Sequence, residues 1–265
     1  MRPLASMPRE ALRDAPGVAT DLDDTLTARG LGLGVDALVS LELLRDRGVP
    51  CVVATGRSLG WAEVLATLLP VRAVVAENGG AWVVREASGL RVAFCDDEET
   101  RRAGLARSHA MIETLRRRFP AMRPVTEWAA RATDAVLDVS PGTGVTRGMI
   151  AEADALAREA GLYTVASAIH LHVTHRAPDK TEGLRHALRA CGMDPDDLGP
   201  RWIYVGDSPN DAGPFGAMAR SVGVRNVTRF EGAMTAWPKY VTEHEGPAGF
   251  AEVVRALCAA KEGAA

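Results

Sequence analysis

The segment Asp21-Leu22-Asp23-Asp24-Thr25 crowds three carboxylates and a hydroxyl together, and Gly206-Asp207-Ser208-Pro209-Asn210-Asp211 adds two acids and an amide. Carboxylates packed this closely repel one another unless a cation lies among them. Thr55-Gly56 and Asn78-Gly79 offer a hydroxyl, an amide side chain and unhindered backbone N–H groups. Lys180 offers an ammonium in a chain whose 31 basic residues include only three lysines. Singly, each has an ordinary explanation: acids before a helix are solvated N-terminal charges, Thr-Gly is a cap, and Asn-Gly is first of all a turn. Converging on one spot, the same groups could supply a nucleophile, an acid–base pair, hard oxygen ligands for a metal, and donors for an anion.

The elements around these groups decide whether they converge. Val18-Ala19-Thr20, Cys51-Val52-Val53-Ala54, Ala73-Val74-Val75-Ala76 and Trp202-Ile203-Tyr204-Val205 are short apolar runs, each ending at one of the polar clusters. Helical patterns follow at about 35–47, 59–69 and 180–191, two of them stopped by Gly48 and Gly192. Apolar strand, polar tip, helix, repeated, predicts a doubly wound, Rossmann-like parallel sheet buried on both faces, with ligands beyond the carboxyl ends of its strands. Ser221–Val224 and Tyr240–Thr242 read as further short strands, and 250–259 as a closing helix. The middle of the chain differs. Strands at 90–94, 135–139, 162–165 and 169–173 accompany helices at 98–118 and 150–160, and Ile169–Val173 alternates with period two, as a sheet with one open face does. The expected organisation is an α/β core from 1–83 and 177–265 with an inserted α+β cap domain at 84–176.

Composition narrows the classes of function. A net charge of −3 gives no basic field for nucleic acid. No apolar run approaches a membrane span and no signal-peptide pattern stands at the N-terminus, so a cytoplasmic protein without membrane association is expected. Cys51, Cys95, Cys191 and Cys258 are scattered without a CxxC pair and read as reduced, packed thiols.

DLDDTLT at 21–27, ATGRS at 54–58, ENGG at 77–80, DK at 179–180 and GDSPND at 206–211 resemble the signature motifs of the haloacid dehalogenase superfamily. Between Asp21 and Thr55 there is room for one βαβ unit, whereas the long interval from Thr55 to Lys180 has room for a domain; that placement resembles the type-two caps of sugar-phosphate phosphatases. The ENGG turn and the strand before Asp179-Lys180 are similar to the subgroup of sucrose-phosphate phosphatase, mannosyl-3-phosphoglycerate phosphatase and the Cof-like hydrolases. The resemblance implies an Mg2+-dependent hydrolase of a small phosphorylated sugar or sugar-acid. Asp21 would be the nucleophile that forms an aspartyl-phosphate, and Asp23 the general acid and base. Mg2+ would be held by the side chains of Asp21 and Asp207 and the carbonyl of Asp23, with Asp211 holding a metal-bound water or Lys180. Thr55, the Gly56 amide and Lys180 would hold the phosphoryl oxygens, with Asn210 as a further polar contact. An acid two residues after the nucleophile suits a leaving alcohol, which must be protonated.

Candidate substrate contacts are Arg57, Glu77, Asn78, His170 and His172. Arg57 could reach substrate or pair with Glu77. His170 and His172 share a strand face that could be exposed to solvent, touch substrate or bind a metal adventitiously. Arg131 and Asp134 read as surface charges, the 101–102 and 116–118 arginines as a solvated helix face, and Trp61, Trp82 and Trp128 as packing residues. Competing functions are a phosphotransferase or phosphosugar mutase, a phosphorylation-regulated signalling module and a catalytically inactive binding protein. The expected partner is a small phosphorylated metabolite, with the protein a monomer or small homo-oligomer.

Overall fold

The computed structural model describes residues 1–28, 32–167 and 169–262. Nine strands form the large sheet: β1 (Arg2–Pro3), β2 (Val18–Thr20), β3 (Cys51–Ala54), β4 (Ala73–Ala76), β5 (Ala81–Glu86), β6 (Gly89–Phe94), and, after an excursion, β11 (Ile203–Gly206), β12 (Arg220–Gly223) and β13 (Tyr240–Val241). Their order is β1-β13-β12-β11-β2-β3-β4-β5-β6. Every pairing from β1 to β4 is parallel, whereas β4–β5 and β5–β6 are antiparallel. The chain winds one way from β2 to β4 and returns to β11 on the other side of β2. The topological switch therefore lies between β2 and β11, where open α/β sheets bind ligands.

Continuous apolar strands are explained by burial of both faces. Successive residues point to opposite sides, so Val53, Val74 and Val205 join one core with Leu41, Leu44, Leu65, Val253 and Leu257, while Val52, Val75 and Tyr204 join the other with Leu184, Leu188, Trp202 and Phe215. The first core is covered by helices Val35–Asp46, Leu59–Leu68 and Gly246–Glu262, and the second by Lys180–Ala190 and the short helix Ala212–Ala217.

A four-stranded antiparallel sheet, ordered β7 (Arg123–Pro124), β8 (Asp134–Asp138), β10 (His170–Thr174), β9 (Tyr163–Ala166), makes up the cap. Leu171 and Val173 face helices Glu98–Arg118 and Arg147–Glu159 in a third core with Leu115, Leu137 and Ala157. Two features differ from the sequence reading. The hairpin β5–β6 extends the large sheet, so Gly89–Phe94, read as part of the insertion, pairs with the core. And the alternating strand β10 has no open face where it matters: Asp134, Val136 and His172 lie opposite the helices and are all buried, because the loops at the tips of β3 and β4 cover them. Among the described residues no helix is long and apolar enough to cross a membrane, and all four cysteines are unpaired.

Candidate active site

The tips of β2 and β11 lie side by side, and the Asp21 N–H donates to the Val205 carbonyl at 2.8 Å. This bond carries Asp21 straight off a buried strand into a buried position beside Asp207. Lys180 comes from the opposite direction as the first residue of its helix, whose N-terminus is capped by Asp179 accepting from the Thr181 and Glu182 amides at 2.8 and 3.1 Å. Its ammonium donates to Asp21 Oδ1 at 2.6 Å and to Asp211 Oδ1 at 2.8 Å. Asp211 is fully occupied: Oδ1 also accepts from the Tyr204 hydroxyl at 2.6 Å, and Oδ2 accepts from the Asp207 and Ser208 amides at 3.0 and 3.2 Å. Of the two expectations for Asp211, holding Lys180 is the geometry found.

Asp207 is positioned by a residue the sequence reading missed. Asn226 Nδ2 donates to Asp207 Oδ2 at 2.9 Å and to the Asp24 carbonyl at 3.0 Å, while its own carbonyl accepts from the Gly246 amide at 3.0 Å. One buried amide thus ties β11, the acidic turn after β2 and the start of the last helix together. Neither Asn226 nor Tyr204 lies in a polar cluster; Tyr204 reads as an ordinary apolar strand residue.

Asp21, Asp207 and Asp211 each place a carboxylate oxygen within 4.8 Å of the others, all buried. Three carboxylates face one ammonium. Burial, with the neighbouring acids adding to it, pushes the Asp21 carboxyl up to about 8 and that of Asp207 to about 9. Lys180 is raised as well: against the cost of burial, Asp21 and Asp211 hold its proton. A divalent cation among these oxygens would relieve the repulsion, and an all-oxygen donor set suits a hard cation.

Thr55 and Gly56 follow β3. The Thr55 amide donates to the Val75 carbonyl at 2.9 Å, its carbonyl accepts from Asn78 N at 3.1 Å, and its hydroxyl oxygen accepts from the Arg57 amide at 3.1 Å. At Gly56 a Cβ would come within 3.1 Å of Asn78 Oδ1 and 3.3 Å of His172 Cε1, so this backbone is close-packed as well as unhindered. Asn78 does sit in a tight turn, with φ +54°, and its side chain also faces the site. A cavity of about 330 Å³ opens here, lined by Asn78, Lys180 and Asn210 from the core and by Thr164, Val165 and Ala166 of β9 from the cap. Asn210 Oδ1 accepts from Ser208 Oγ at 2.7 Å. The β9 contribution was not visible in the sequence. A second cavity, of about 410 Å³ beside Glu113 and Met122, touches none of these residues.

Several sequence expectations change. Arg57 pairs with Asp23, not Glu77: its Nη2 lies 2.6 Å from Asp23 Oδ1 and its guanidinium rests on Trp61. Glu77 is buried in the seam between core and cap. Its carboxylate accepts from Leu59 N at 2.8 Å, Ala132 N at 3.0 Å, and Thr133 N and Oγ1 at 2.6 Å each. Its oxygens are committed to joining the two parts of the protein, and burial raises its carboxyl to about 7. Arg131 and Asp134 are not surface charges. Both are buried, bonded to each other at 2.9 Å, with Arg131 also reaching Glu127 at 2.8 Å and the Gly56 carbonyl at 3.2 Å. His172 is not solvent-exposed: it is buried with Nδ1 2.7 Å from Asp134 Oδ2. His170 lies next to it, half-buried, and its imidazolium is disfavoured by burial, the pKa falling to about 4. Trp82 packs as expected, stacked on His186, but Trp128 is exposed.

A doubly wound sheet whose switch point holds buried carboxylates and a lysine, roofed by a separate antiparallel sheet, defines a capped α/β protein with a site for an anion beside a hard cation. The profile of the haloacid dehalogenase-like hydrolases matches residues 18–95, from β2 to just beyond β6. The phosphoglycolate phosphatase of Halorubrum lacusprofundi is 31% identical over 218 residues, covering 80% of this chain and 85% of the relative. That of Methanopyrus kandleri is 29% identical over 212 residues, covering 80% and 84%. Among solved structures, Thermoplasma acidophilum 0175 superposes with a TM-score of 0.74 at 18% identity over 92% of this chain and 98% of that one. The sucrose-phosphatase of Synechocystis sp. PCC6803, in complex with sucrose and phosphate, gives 0.66 at 18% identity over 93% and 98%; these two establish a shared fold. The chain belongs to the haloacid dehalogenase-like hydrolases, and is a phosphatase of that superfamily with a cap.

Proposed function

We propose that this phosphatase uses Mg2+ to hydrolyse the monoester of a small phosphorylated acid of the phosphoglycolate kind, through an aspartyl-phosphate at Asp21. The observation that carries the reading is the buried Asp21–Lys180–Asp211 chain beside Asp207, opening on a cavity of about 330 Å³. Relatives that match most of this chain, those of Halorubrum lacusprofundi and Methanopyrus kandleri among them, are phosphoglycolate phosphatases, which supports a short acid over the sucrose-phosphate and Cof-like subgroup.

Asp21, Asp207 and the carbonyl of Asp23 would hold Mg2+, which supplies charge neutralisation so that a carboxylate can approach a phosphate dianion. Lys180 steadies the Asp21 carboxylate and, with Thr55 and the Gly56 amide, receives the phosphoryl oxygens. Asp21 attacks phosphorus as the ester P–O bond breaks, and Asp23 gives its proton to the departing alkoxide. Asp23 then takes a proton from the water that attacks the aspartyl-phosphate, releasing phosphate and restoring Asp21. Asp211 acts through Lys180. Asn78 and Asn210 line the substrate cavity from the core and β9 from the cap; we place the start of the inserted cap after Phe94, where the large sheet ends, and its close before Asp179. Four unpaired thiols are in keeping with a reducing cytoplasm.

The test is phosphate release from 2-phosphoglycolate, glycerol phosphates, hexose phosphates and sucrose phosphate, with Mg2+ and with chelator. Release from the two-carbon acid, lost with chelator and in Asp21→Asn, is expected. Absence of release from every ester would overturn the reading, and turnover by Asp21→Asn would overturn its mechanism.

A further inference from the structure

Asp23, assigned above to protonate the leaving group, is engaged through both oxygens by a cation. Arg57 Nε donates to both its oxygens, at 3.0 and 3.1 Å, and Nη2 donates to Oδ1 at 2.6 Å. Oδ1 thereby accepts twice and has no lone pair to spare, while the direction of Oδ2 is set by the same guanidinium. An Asp23 that turns to an ester oxygen is drawn from Arg57, and an Arg57 left without another anion would lose its charge-assisted bonds.

The surroundings of Arg57 suit an exchange of partners. Its backbone is fixed, since its N–H donates to Thr55 Oγ1 and its carbonyl accepts from Glu77 N at 3.0 Å. Its guanidinium lies over the Trp61 ring with the charged carbon 4.6 Å from the centroid, a contact that does not use its N–H donors. The pair is partly open, with side-chain exposures of 30% for Arg57 and 46% for Asp23, so a substrate group can reach it. The other two cations described around the site are differently placed. Lys180 is buried between Asp21 and Asp211, and Arg131 is buried among Asp134, Glu127 and the Gly56 carbonyl. Glu127, a cap acid whose charge acts on Arg57, is itself held by Arg131.

We infer that Arg57 is the specificity-determining residue of this phosphatase: it exchanges the Asp23 carboxylate for a carboxylate carried by the substrate one carbon from the ester oxygen, and in doing so frees Asp23 to meet that oxygen. This rests on the phosphatase reading above and deepens it. Arg57 and Asp23 are adjacent, and in a 2-phospho-acid the carboxylate and the ester oxygen are adjacent as well. Such a substrate satisfies both residues together. A phosphate ester with an uncharged leaving group offers Arg57 nothing, leaves the Arg57–Asp23 pair intact, and is discriminated against without any clash. The interaction that selects the substrate is thereby the one that releases the acid.

The test compares kcat/KM for 2-phosphoglycolate and ethyl phosphate, which has a methyl group where the acid has its carboxylate, using Mg2+-loaded wild type, Arg57→Gln and Arg57→Lys. Wild type is expected to prefer the acid. In Arg57→Gln the preference falls roughly 10- to 100-fold, as expected for losing hydrogen bonds to a charged group, mainly through KM for 2-phosphoglycolate. Arg57→Lys retains the charge but not the fork and falls between, which decides the matter should Arg57→Gln not fold. A ratio unchanged in the variants, or a wild type that treats both esters alike, overturns the role of Arg57 and leaves the phosphatase reading standing. A wild type that releases phosphate from neither ester overturns both.

Discussion

Replacing Asp207 by asparagine should stabilise the metal-free protein while abolishing its activity. Asp207 is buried with Asp21 and Asp211 around a single ammonium, and its carboxyl is pushed up to about 9. A carboxyl raised in the folded state binds a proton that the unfolded chain has already released. Its contribution is therefore intact below the ordinary carboxylate range and is lost as pH rises toward the folded value, at about 1.4 kcal/mol per pH unit. From about pH 5.5 to about pH 8 the wild type should lose about 3 kcal/mol through this group alone. An asparagine can still accept from Asn226 Nδ2 with its carbonyl, and turns an amide donor toward the remaining acids. The gap between Asp207→Asn and wild type should thus widen in favour of the variant by about 3 kcal/mol over that pH range. The assay is urea unfolding of both proteins in chelator at the two pH values, repeated with Mg2+. Mg2+ should raise the stability of wild type by mass action and that of the variant much less. If Asp207→Asn is no more stable than wild type at the higher pH without metal, or if the gap does not change with pH, Asp207 is not held in a cluster short of positive charge, and the argument for a cation there fails.

Three further outcomes test the supporting residues. Tyr204→Phe removes the hydroxyl that donates to Asp211 Oδ1 at 2.6 Å and should cost about 1–3 kcal/mol of stability; phosphate release should slow as well, and an unchanged kcat would show that Tyr204 does not hold the Asp211–Lys180 pair. Gly79→Ala demands φ +107° of an alanine and puts its Cβ 2.1 Å from the Asp179 carbonyl oxygen, next to Lys180. It should lose about 1–3 kcal/mol in urea unfolding and much of its turnover; wild-type values for both would contradict the close approach. Arg131→Met leaves Asp134 and Glu127 without their shared cation and should destabilise by about 3–5 kcal/mol, whereas a truly exposed arginine would change little in the same unfolding experiment.

Much of the architecture was legible because it depends on local pattern. Strands buried on both faces must be apolar throughout, and Val18–Thr20, Cys51–Ala54 and Ala73–Ala76 were bounded correctly on that ground alone. Helix Glu98–Arg118 lies where the sequence places it, and the structure adds its cap, Asp97, whose side chain accepts from the Thr100 amide. Ala81–Glu86 was not read as a strand, and Gly89–Phe94 was assigned to the insertion, since an apolar strand carries no mark of the sheet it will join. The start of helix Arg147–Glu159 was read three residues late, its opening Arg-Gly-Met carrying little of the apolar pattern while Thr146 supplies the cap.

By itself the sequence determined the sheet, the polar tips of its strands and the residues that those tips bring together, because strand ends in a doubly wound fold have one place to go. The tertiary structure alone decided which charges are free and which are committed. Asn226 reaches Asp207 and Asp24, Arg131 and His172 enclose Asp134, Glu77 is taken up by Ala132 and Thr133, and Arg57 chooses Asp23 over Glu77. Such pairings join separate loops of the core or join core to cap. Burial at the seam makes an unpaired charge too costly to leave, so the partner is dictated by what the fold brings opposite, which no spacing along the chain records.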